Sequence, residues 1–218
     1  RALLAALPDQ VGCLDPRHEV AYRLAICRAE KAHPLADDRG QGVAPAPIID
    51  LQSDAYFMQE ALREARRAYR ATEVPIGAVV VREGRVIARA WNQVDTLKDA
   101  TAHAEMLVLT AAQNVMEDWR LEGCSIYVTK EPCPMCAGAI VHCRPDRVVF
   151  GCPDQKGGAA GGWINLLESN PPLNHRCEIT SGVLQDECLG ILQGFFREAR
   201  EKKKMPGPGP AGNNGHDA

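Results

Sequence analysis

Two short motifs contain the residue types that bind a metal ion and use it. Cys133 and Cys136 have the C-x-x-C spacing with which two thiolates bind one metal ion, and His103 supplies a third ligand of a type that zinc accepts. Three protein ligands leave one position of a tetrahedral zinc site open for water. Glu105 follows the histidine by two residues, and its carboxylate is suited to moving protons on that water. The two motifs predict a catalytic zinc site.

Two other kinds of site, a structural zinc site and a redox-active cysteine pair, could use some of the same residues. A structural zinc site normally has four protein ligands, and the obvious fourth candidate, Cys143, follows Cys136 by a full helical stretch. A redox-active cysteine pair would require neither His103 nor Glu105. The catalytic interpretation is favoured because it alone gives the Glu105 carboxylate a purpose.

The elements that must position these residues can be read from the spacing of apolar side chains. Helical periodicity predicts helices at about 54–69, 101–115, 134–142 and 185–201, and the second of these carries His103 and Glu105 in its first turn. Apolar runs between turn residues predict strands at 77–81, 85–91, 125–129, 147–151 and 177–180. The strand at 125–129 leads into the cysteine loop. Strands alternating with helices indicate a layered α/β domain.

Composition sets limits on the kind of protein. The chain has 218 residues and a formal net charge of -3, which argues against a broad nucleic-acid-coating surface but permits a small RNA site. Its nine cysteines show no disulfide framework, a pattern that suits a reducing cytoplasmic compartment. No apolar run is long enough for a membrane span.

Composition also divides the chain into three parts. Residues 1–52 include a segment rich in proline and glycine and are expected to form a mobile extension. Residues 53–204 are expected to form the zinc-dependent domain. Residues 205–218 are of low complexity and are expected to be disordered.

The motifs resemble those of a known family. H-x-E followed by P-C-x-x-C is the signature of zinc-dependent nucleobase deaminases. From about Asp54 to Lys204 the chain resembles the bacterial tRNA-specific adenosine deaminases, and the matching segments are 74–79, 91–92, 101–105, 132–139, 157–161 and 173–176. The last two segments are the informative ones, because free-base and free-nucleoside deaminases share the zinc motif but not usually these loops.

The resemblance implies a fold, a cofactor and a reaction. The fold would be a three-layer α/β/α cytidine-deaminase-like domain with a five-stranded mixed sheet, acting as a homodimer. His103, Cys133 and Cys136 would hold one Zn²⁺ per subunit, and Glu105 would be the proton shuttle. The reaction would be hydrolytic deamination of adenosine to inosine at wobble position 34 in a tRNA anticodon stem-loop, with an arginine tRNA as substrate. The substrate-binding residues would be Asn92, Ala104, Asp154, Asn174, His175, Phe196 and Arg197.

The sequence leaves alternatives open for the function and for several of the substrate-binding residues. A free-base or nucleoside deaminase and a non-catalytic zinc module are the two competing functions. Asn92 could be a turn residue at a strand end, Asn174 and His175 could cap a loop, and Phe196 could belong to the core. The chain also departs from the family at Lys130, where an apolar residue is usual, and at Ala100, which replaces a common proline. Lys130 is expected to affect the shape or charge of the site.

Overall fold

The computed structural model describes residues 50–169 and 172–204, and all that follows concerns those residues. The strands are β1 (Gly77–Arg82), β2 (Arg85–Trp91), β3 (Cys124–Lys130), β4 (Arg147–Cys152) and β5 (Glu178–Ser181). The helices are α1 (Asp54–Arg70), α2 (Val94–Leu97), α3 (Ala104–Met116), α4 (Pro134–Cys143) and α5 (Gln185–Lys204). Nearly all of the expected N-terminal extension and the whole C-terminal tail lie outside the described residues. None of the described helices combines the length and apolar character needed to cross a bilayer.

The five strands form one mixed sheet in the order β2-β1-β3-β4-β5. β1 runs antiparallel to β2 and β3, whereas β3, β4 and β5 are mutually parallel. This confirms the expected five-stranded mixed sheet. Because parallel neighbours end at the same edge, the loops after β3 and β4 emerge side by side. The cysteine motif follows β3, so this edge of the sheet is where the predicted site must lie.

Side-chain alternation along the central strands builds a core on each face of the sheet. Val80 and Val128 belong to the core that α3 and α4 cover, while Val79 and Tyr127 belong to the core beneath α1 and α5. The helices therefore form two layers with the sheet between them, which confirms the three-layer α/β/α architecture.

The start of α1 agrees with the sequence expectation and is fixed by side-chain contacts. Ser53 is the N-cap, and its hydroxyl oxygen accepts a hydrogen bond from the backbone N–H of Tyr56. Asp54 forms a two-pronged ion pair with Arg147 at the start of β4, with N–O distances of 2.7 and 2.8 Å. Tyr127 donates a further hydrogen bond to Asp54. Hydrogen bonds from Arg147 lower the pKa of Asp54 below its ordinary value. α1 is thereby attached to the centre of the sheet.

Three local predictions were wrong in detail. Helix α3 begins at Ala104 rather than at Thr101, because the Asp99 side chain accepts hydrogen bonds from the backbone and hydroxyl of Thr101 and holds that residue in a turn. His103 is therefore the N-cap residue of α3, with extended backbone angles, and only Glu105 lies in the first turn. The sequence reading missed the short helix α2 and began β5 one residue too early, at Cys177.

Candidate active site

The predicted metal-binding residues lie where two helices begin. Cys133 is the N-cap residue of α4, and Pro134 occupies the first helical turn, where a missing backbone N–H costs nothing. His103 occupies the N-cap position of α3. Both helices direct the positive ends of their dipoles toward the site, an arrangement that stabilises thiolates and any developing negative charge. The loop connections and the packing of α3 beside α4 bring together residues that are about thirty positions apart in sequence.

The three ligand atoms have the spacing that a tetrahedral zinc ion requires. The two sulfur atoms are 3.6 Å apart, and Nδ1 of His103 lies 3.7 Å from Sγ of Cys133 and 3.4 Å from Sγ of Cys136. Ordinary zinc bond lengths at tetrahedral angles require about 3.8 Å between two sulfurs and about 3.6 Å between sulfur and nitrogen. Each observed distance lies close to the required one. The residues therefore fit zinc.

Among the described residues, no fourth histidine, cysteine or carboxylate joins this cluster. Cys143, the candidate for a fourth ligand, is buried at the C-terminal end of α4, where its sulfur contacts the Gln113 side-chain amide at 3.1 Å. Three ligands with one open position are typical of a catalytic zinc site rather than a structural one. The arrangement favours the catalytic interpretation.

Hydrogen bonds within the cluster shift the pKa values of the three predicted ligands in different directions. The hydrogen bond between Cys133 and Cys136, assisted by the one between Cys133 and His103, lowers the pKa of the Cys133 thiol to about 3. The same hydrogen bond, together with burial, raises the pKa of Cys136 above its ordinary value. The hydrogen bond to Cys133 raises the pKa of His103. The thiol of Cys136, whose pKa is raised, must therefore lose a proton when it binds a metal.

The Glu105 carboxyl group is buried beside the ligand cluster. Burial raises its pKa. Its Oε2 atom is buried and has no hydrogen-bond partner among the described residues. An unpartnered buried oxygen is costly unless it serves a bound group, and a carboxylate of raised pKa is a better base than an exposed one. Both properties suit a group that accepts a proton from water or substrate.

Asn92 directly follows β2, but it is a buried residue rather than an exposed turn residue. Its backbone N–H donates to Ile76 O, and its side-chain amide donates to Oε2 of Glu73 at 3.2 Å. Glu73 is also buried, and its carboxylate accepts hydrogen bonds from the backbone N–H groups of Asp95 and Thr96 at the start of α2. Although burial acts in the opposite direction, these hydrogen bonds lower the pKa of Glu73. Glu73 therefore holds the Asn92 amide in a defined orientation.

A third buried carboxylate, that of Glu131, shapes the glycine-rich loop at 154–162. Glu131 accepts backbone hydrogen bonds from Asp154 at 2.7 Å, Ala160 at 2.9 Å and Gly162 at 2.8 Å. A Cβ atom at Gly158 or Gly162 would lie 2.2 Å from the Glu131 carboxyl group, so both positions need glycine. Because Glu131 is two residues before Cys133, it connects the loop directly to the metal-binding segment.

The departure at Lys130 changes the charge near the site. The Lys130 ammonium group forms an ion pair with Asp154, one of the predicted RNA-contacting residues. Its positive charge also opposes the rise in the pKa of His103. Asp154 additionally accepts the backbone N–H groups of Lys156 and Gly157. The expected effect of Lys130 on the site stays a prediction, and Ala100 is exposed in the loop before α3.

The other predicted RNA-contacting residues lie away from the ligand cluster. His175 is hydrogen-bonded to the Pro145 carbonyl at 2.7 Å, just beyond the C-terminal end of α4, and a helix of this length places that end about 15 Å from its start. Asn174 is exposed beside it. Phe196 and Arg197 are exposed on α5, which covers the opposite face of the sheet from α3 and α4. Within one chain, these four residues are not brought to the predicted metal site, and their RNA contacts stay predictions.

Sequence reasoning overlooked the roles of Glu73 and Glu131. One signal was present: each is an acidic residue immediately before a buried apolar or proline-containing segment, where an exposed charge is not expected. Neither spacing nor residue type indicates which distant backbone groups such a carboxylate accepts. Glu73 contacts the surroundings of the predicted site through Asn92, and Glu131 does so through the glycine-rich loop.

Comparison with known proteins defines the class and then the family. The family described as "cytidine and deoxycytidylate deaminase zinc-binding region" matches residues 51–152, which include all three ligands and Glu105. A tRNA-specific adenosine deaminase from Bacillus subtilis is 52% identical over 154 residues, covering 71% of this chain and 95% of that protein. At that identity and coverage, the chain belongs to the tRNA-specific adenosine deaminase family.

Solved structures support the same assignment. A structure from a study of A-to-I editing by tRNA:A34 deaminases at the wobble position is 44% identical, with a TM-score of 0.60, and the match covers 63% of this chain and 99% of that one. A guanine deaminase from Nitrosomonas europaea has a TM-score of 0.58 at 22% identity, over 74% of this chain and 98% of that one. The second similarity shows a shared fold alone.

Proposed function

We propose that this protein hydrolytically deaminates adenosine to inosine at wobble position 34 of tRNA, with an arginine tRNA as substrate and one Zn²⁺ per subunit. The observation that carries the proposal is the convergence of His103, Cys133 and Cys136 at zinc spacing beside the buried carboxylate of Glu105, whose Oε2 atom has no hydrogen-bond partner among the described residues. The names of the relatives support tRNA as the substrate class.

The chemistry can be assigned to the residues around the cluster. Bound zinc would act as a Lewis acid that makes water a better nucleophile at neutral pH. Glu105 accepts a proton from the water that adds to C6 of adenine and delivers it to ring nitrogen N1. It then takes the proton of the hydroxyl group now on C6 and transfers it to the amino group; the bond from C6 to the amino nitrogen breaks, so that adenosine and water yield inosine and ammonia. Positioned acid–base groups of this kind contribute about 10²–10⁴-fold to a rate.

The base would be unstacked from the RNA and held by residues at the mouth of the site. We assign Asn92 to the flipped base, since Glu73 fixes the orientation of its amide. Ala104 is the first residue of α3, so its backbone N–H has no acceptor within the helix and can donate to the base. A base in a hairpin loop is cheaper to unstack than one in a duplex, which favours an anticodon loop.

The remaining predicted contacts are assigned to the RNA around the base. Asp154 would contact flanking nucleotides from the loop that Glu131 shapes. Asn174, His175, Phe196 and Arg197 are remote from their own metal site, and a homodimer would allow such residues to approach RNA bound by the partner subunit. The few phosphate contacts of a hairpin loop fit the modest net charge of -3.

Two further parts of the proposal concern location and extent. The seven described cysteines are all free, which supports a reducing compartment, and we assign the protein to the cytoplasm. We assign the deaminase domain to residues 53–204, with residues 1–52 as an extension and 205–218 as a tail. The family match at 51–152 supports the beginning of that domain.

Incubation with total bacterial tRNA tests the proposed function. Inosine is read as guanosine on sequencing, and we expect one A-to-G change at position 34 of an arginine tRNA. The matched controls are Glu105→Gln, which keeps the ligands, and Cys136→Ala, which removes one. An isolated anticodon stem-loop should react, and free adenosine should react poorly. Efficient deamination of free guanine or cytosine with the stem-loop unchanged would refute the proposal.

A further inference from the structure

Trp163 is the most exposed aromatic side chain among the described residues, with 60% of its surface accessible. It directly follows Gly161 and Gly162 at the end of the glycine-rich loop. No described residue forms a ring–ring or cation–π contact with it. The comparably exposed Trp119, by contrast, has the guanidinium of Arg120 4.1 Å from its ring centroid. Trp163 therefore offers a free aromatic face.

The backbone around Trp163 is fixed rather than loosely attached. The N–H groups of Trp163 and Ile164 both donate to Gly158 O, at 3.2 and 3.1 Å, and Gly161 N–H donates to Ile164 O at 3.0 Å. The Glu131 carboxylate holds the same loop through Ala160 and Gly162. An aromatic group presented on a pre-shaped loop loses little conformational freedom when it binds a ligand.

The loop places Trp163 close to the proposed catalytic centre. Ala159 N–H donates to the carbonyl of Pro132, the residue before the ligand Cys133, at 2.8 Å. Gly158 precedes Ala159 in the chain, and its carbonyl oxygen accepts the hydrogen bond from the Trp163 N–H. The backbone nitrogen of Trp163 therefore lies within about 9 Å of the Pro132 oxygen. The attachment point of the indole ring is therefore close to the predicted metal-binding segment.

We infer that Trp163 is a stacking platform for a nucleobase adjacent to the adenosine that is deaminated, an inference that rests on the proposed function. Aromatic side chains bind single-stranded nucleotides by stacking on the base face, without regard to charge. Such a contact adds affinity without added positive charge, in agreement with the net charge of -3. An anticodon loop presents unpaired bases on both sides of the wobble position, so a stacking partner is available.

The test compares Trp163→Ala, Trp163→Phe and the control Trp119→Ala. Trp119 is the matched control because it is 51% exposed and follows the C-terminal end of α3, about 20 Å from His103. Dissociation constants for an anticodon stem-loop are measured with zinc-loaded protein, and kcat and KM are measured separately. Loss of one base–aromatic stack corresponds to roughly a 5- to 150-fold weaker complex.

We expect Trp163→Ala to raise the dissociation constant and KM by that factor, with kcat changed less than about threefold. Trp163→Phe should restore most of the affinity, and Trp119→Ala should bind as the wild type does. Placing an abasic nucleotide at each position flanking the target should identify one site where the abasic change and Trp163→Ala are not additive. The factor by which Trp163→Ala weakens RNA binding relative to the wild type should be equal at low and high salt, because stacking involves no counterion release.

Other results would overturn the inference. Wild-type protein that deaminates the stem-loop, with Trp163→Ala binding it equally well, would refute stacking and leave the proposed function intact. A change in subunit association of Trp163→Ala on sedimentation, with unchanged RNA binding per dimer, would assign the indole to the subunit interface instead. Wild-type protein that neither binds nor deaminates the stem-loop would refute both the proposed function and this inference.

Discussion

Replacing Glu131 with glutamine changes one atom type and tests whether this carboxylate organises the glycine-rich loop. In the structure the two carboxylate oxygens accept three backbone N–H groups, those of Asp154, Ala160 and Gly162. A glutamine side chain has the same shape but only one acceptor oxygen. If that oxygen faces Ala160 and Gly162, the amide NH₂ faces the N–H of Asp154, and two donors oppose each other.

The size of the effect follows from these contacts. A hydrogen bond to a charged group contributes about 1.5–3 kcal/mol and a neutral one about 1 kcal/mol. Glu131→Gln loses one charge-assisted bond and weakens two others, while the neutral side chain costs less to bury. We therefore expect the free energy of unfolding to fall by about 2–4 kcal/mol. The ligands are unchanged, so zinc should still bind, but the loop should open more often and KM for the RNA should rise.

Urea unfolding measures the stability, and hydrogen exchange with mass spectrometry follows the peptides that cover 154–167. Two glycine variants provide an independent check. Gly158→Ala would place a Cβ 2.2 Å from the Glu131 carboxyl carbon, whereas at Gly157 the nearest contact is 3.4 Å. Gly158→Ala should therefore resemble Glu131→Gln, and Gly157→Ala should resemble the wild type. Unchanged exchange in the loop and a stability within about 0.5 kcal/mol of wild type for Glu131→Gln would refute the reasoning.

Glu105→Gln should keep both fold and zinc but lower kcat by about 10²–10⁴-fold, as metal analysis and single-turnover kinetics would show; a near-normal rate would mean that another group moves the proton. Zinc should bind more weakly as pH falls, about tenfold per unit for each proton released, because the raised pKa values of Cys136 and His103 mean that both can carry protons the metal must displace. Chelator competition between pH 6 and 8 measures this, and a pH-independent affinity would contradict it. Cys133→Ala combined with Cys136→Ala should bind no zinc, and stoichiometric metal in that variant would reject the site. A fragment of residues 53–204 should be dimeric and active; a folded but inactive fragment would show that an extension takes part in RNA binding.

The supporting shell of the site was not predictable from the chain alone. Glu73 and Glu131 act through backbone groups about twenty to thirty residues away in sequence, and those distances exist only when the strands and loops have assembled. Likewise, the sequence placed His175 among the RNA-contacting residues, and only the fold revealed its hydrogen bond to Pro145 at the far end of α4. The pairing of Lys130 with Asp154 depends on the parallel alignment of β3 and β4, because Lys130 is the last residue of β3 and Asp154 lies in the loop after β4.

The sequence by itself determined the residue types and spacings from which the chemistry is predicted, because these are local properties: two cysteines three positions apart, a histidine, and a glutamate two residues later predict a zinc site with a proton-transfer group. Apolar runs likewise predicted the strands, and helical periodicity predicted the principal helices. Only the tertiary structure decided the distances between the predicted ligands and the burial of Glu105. The packing of α3 beside α4 set ligand spacings of 3.4–3.7 Å, and burial left Glu105 with a raised pKa and an unpartnered oxygen. Such quantities depend on contacts between distant segments and on the exclusion of water, which spacing along a chain cannot specify.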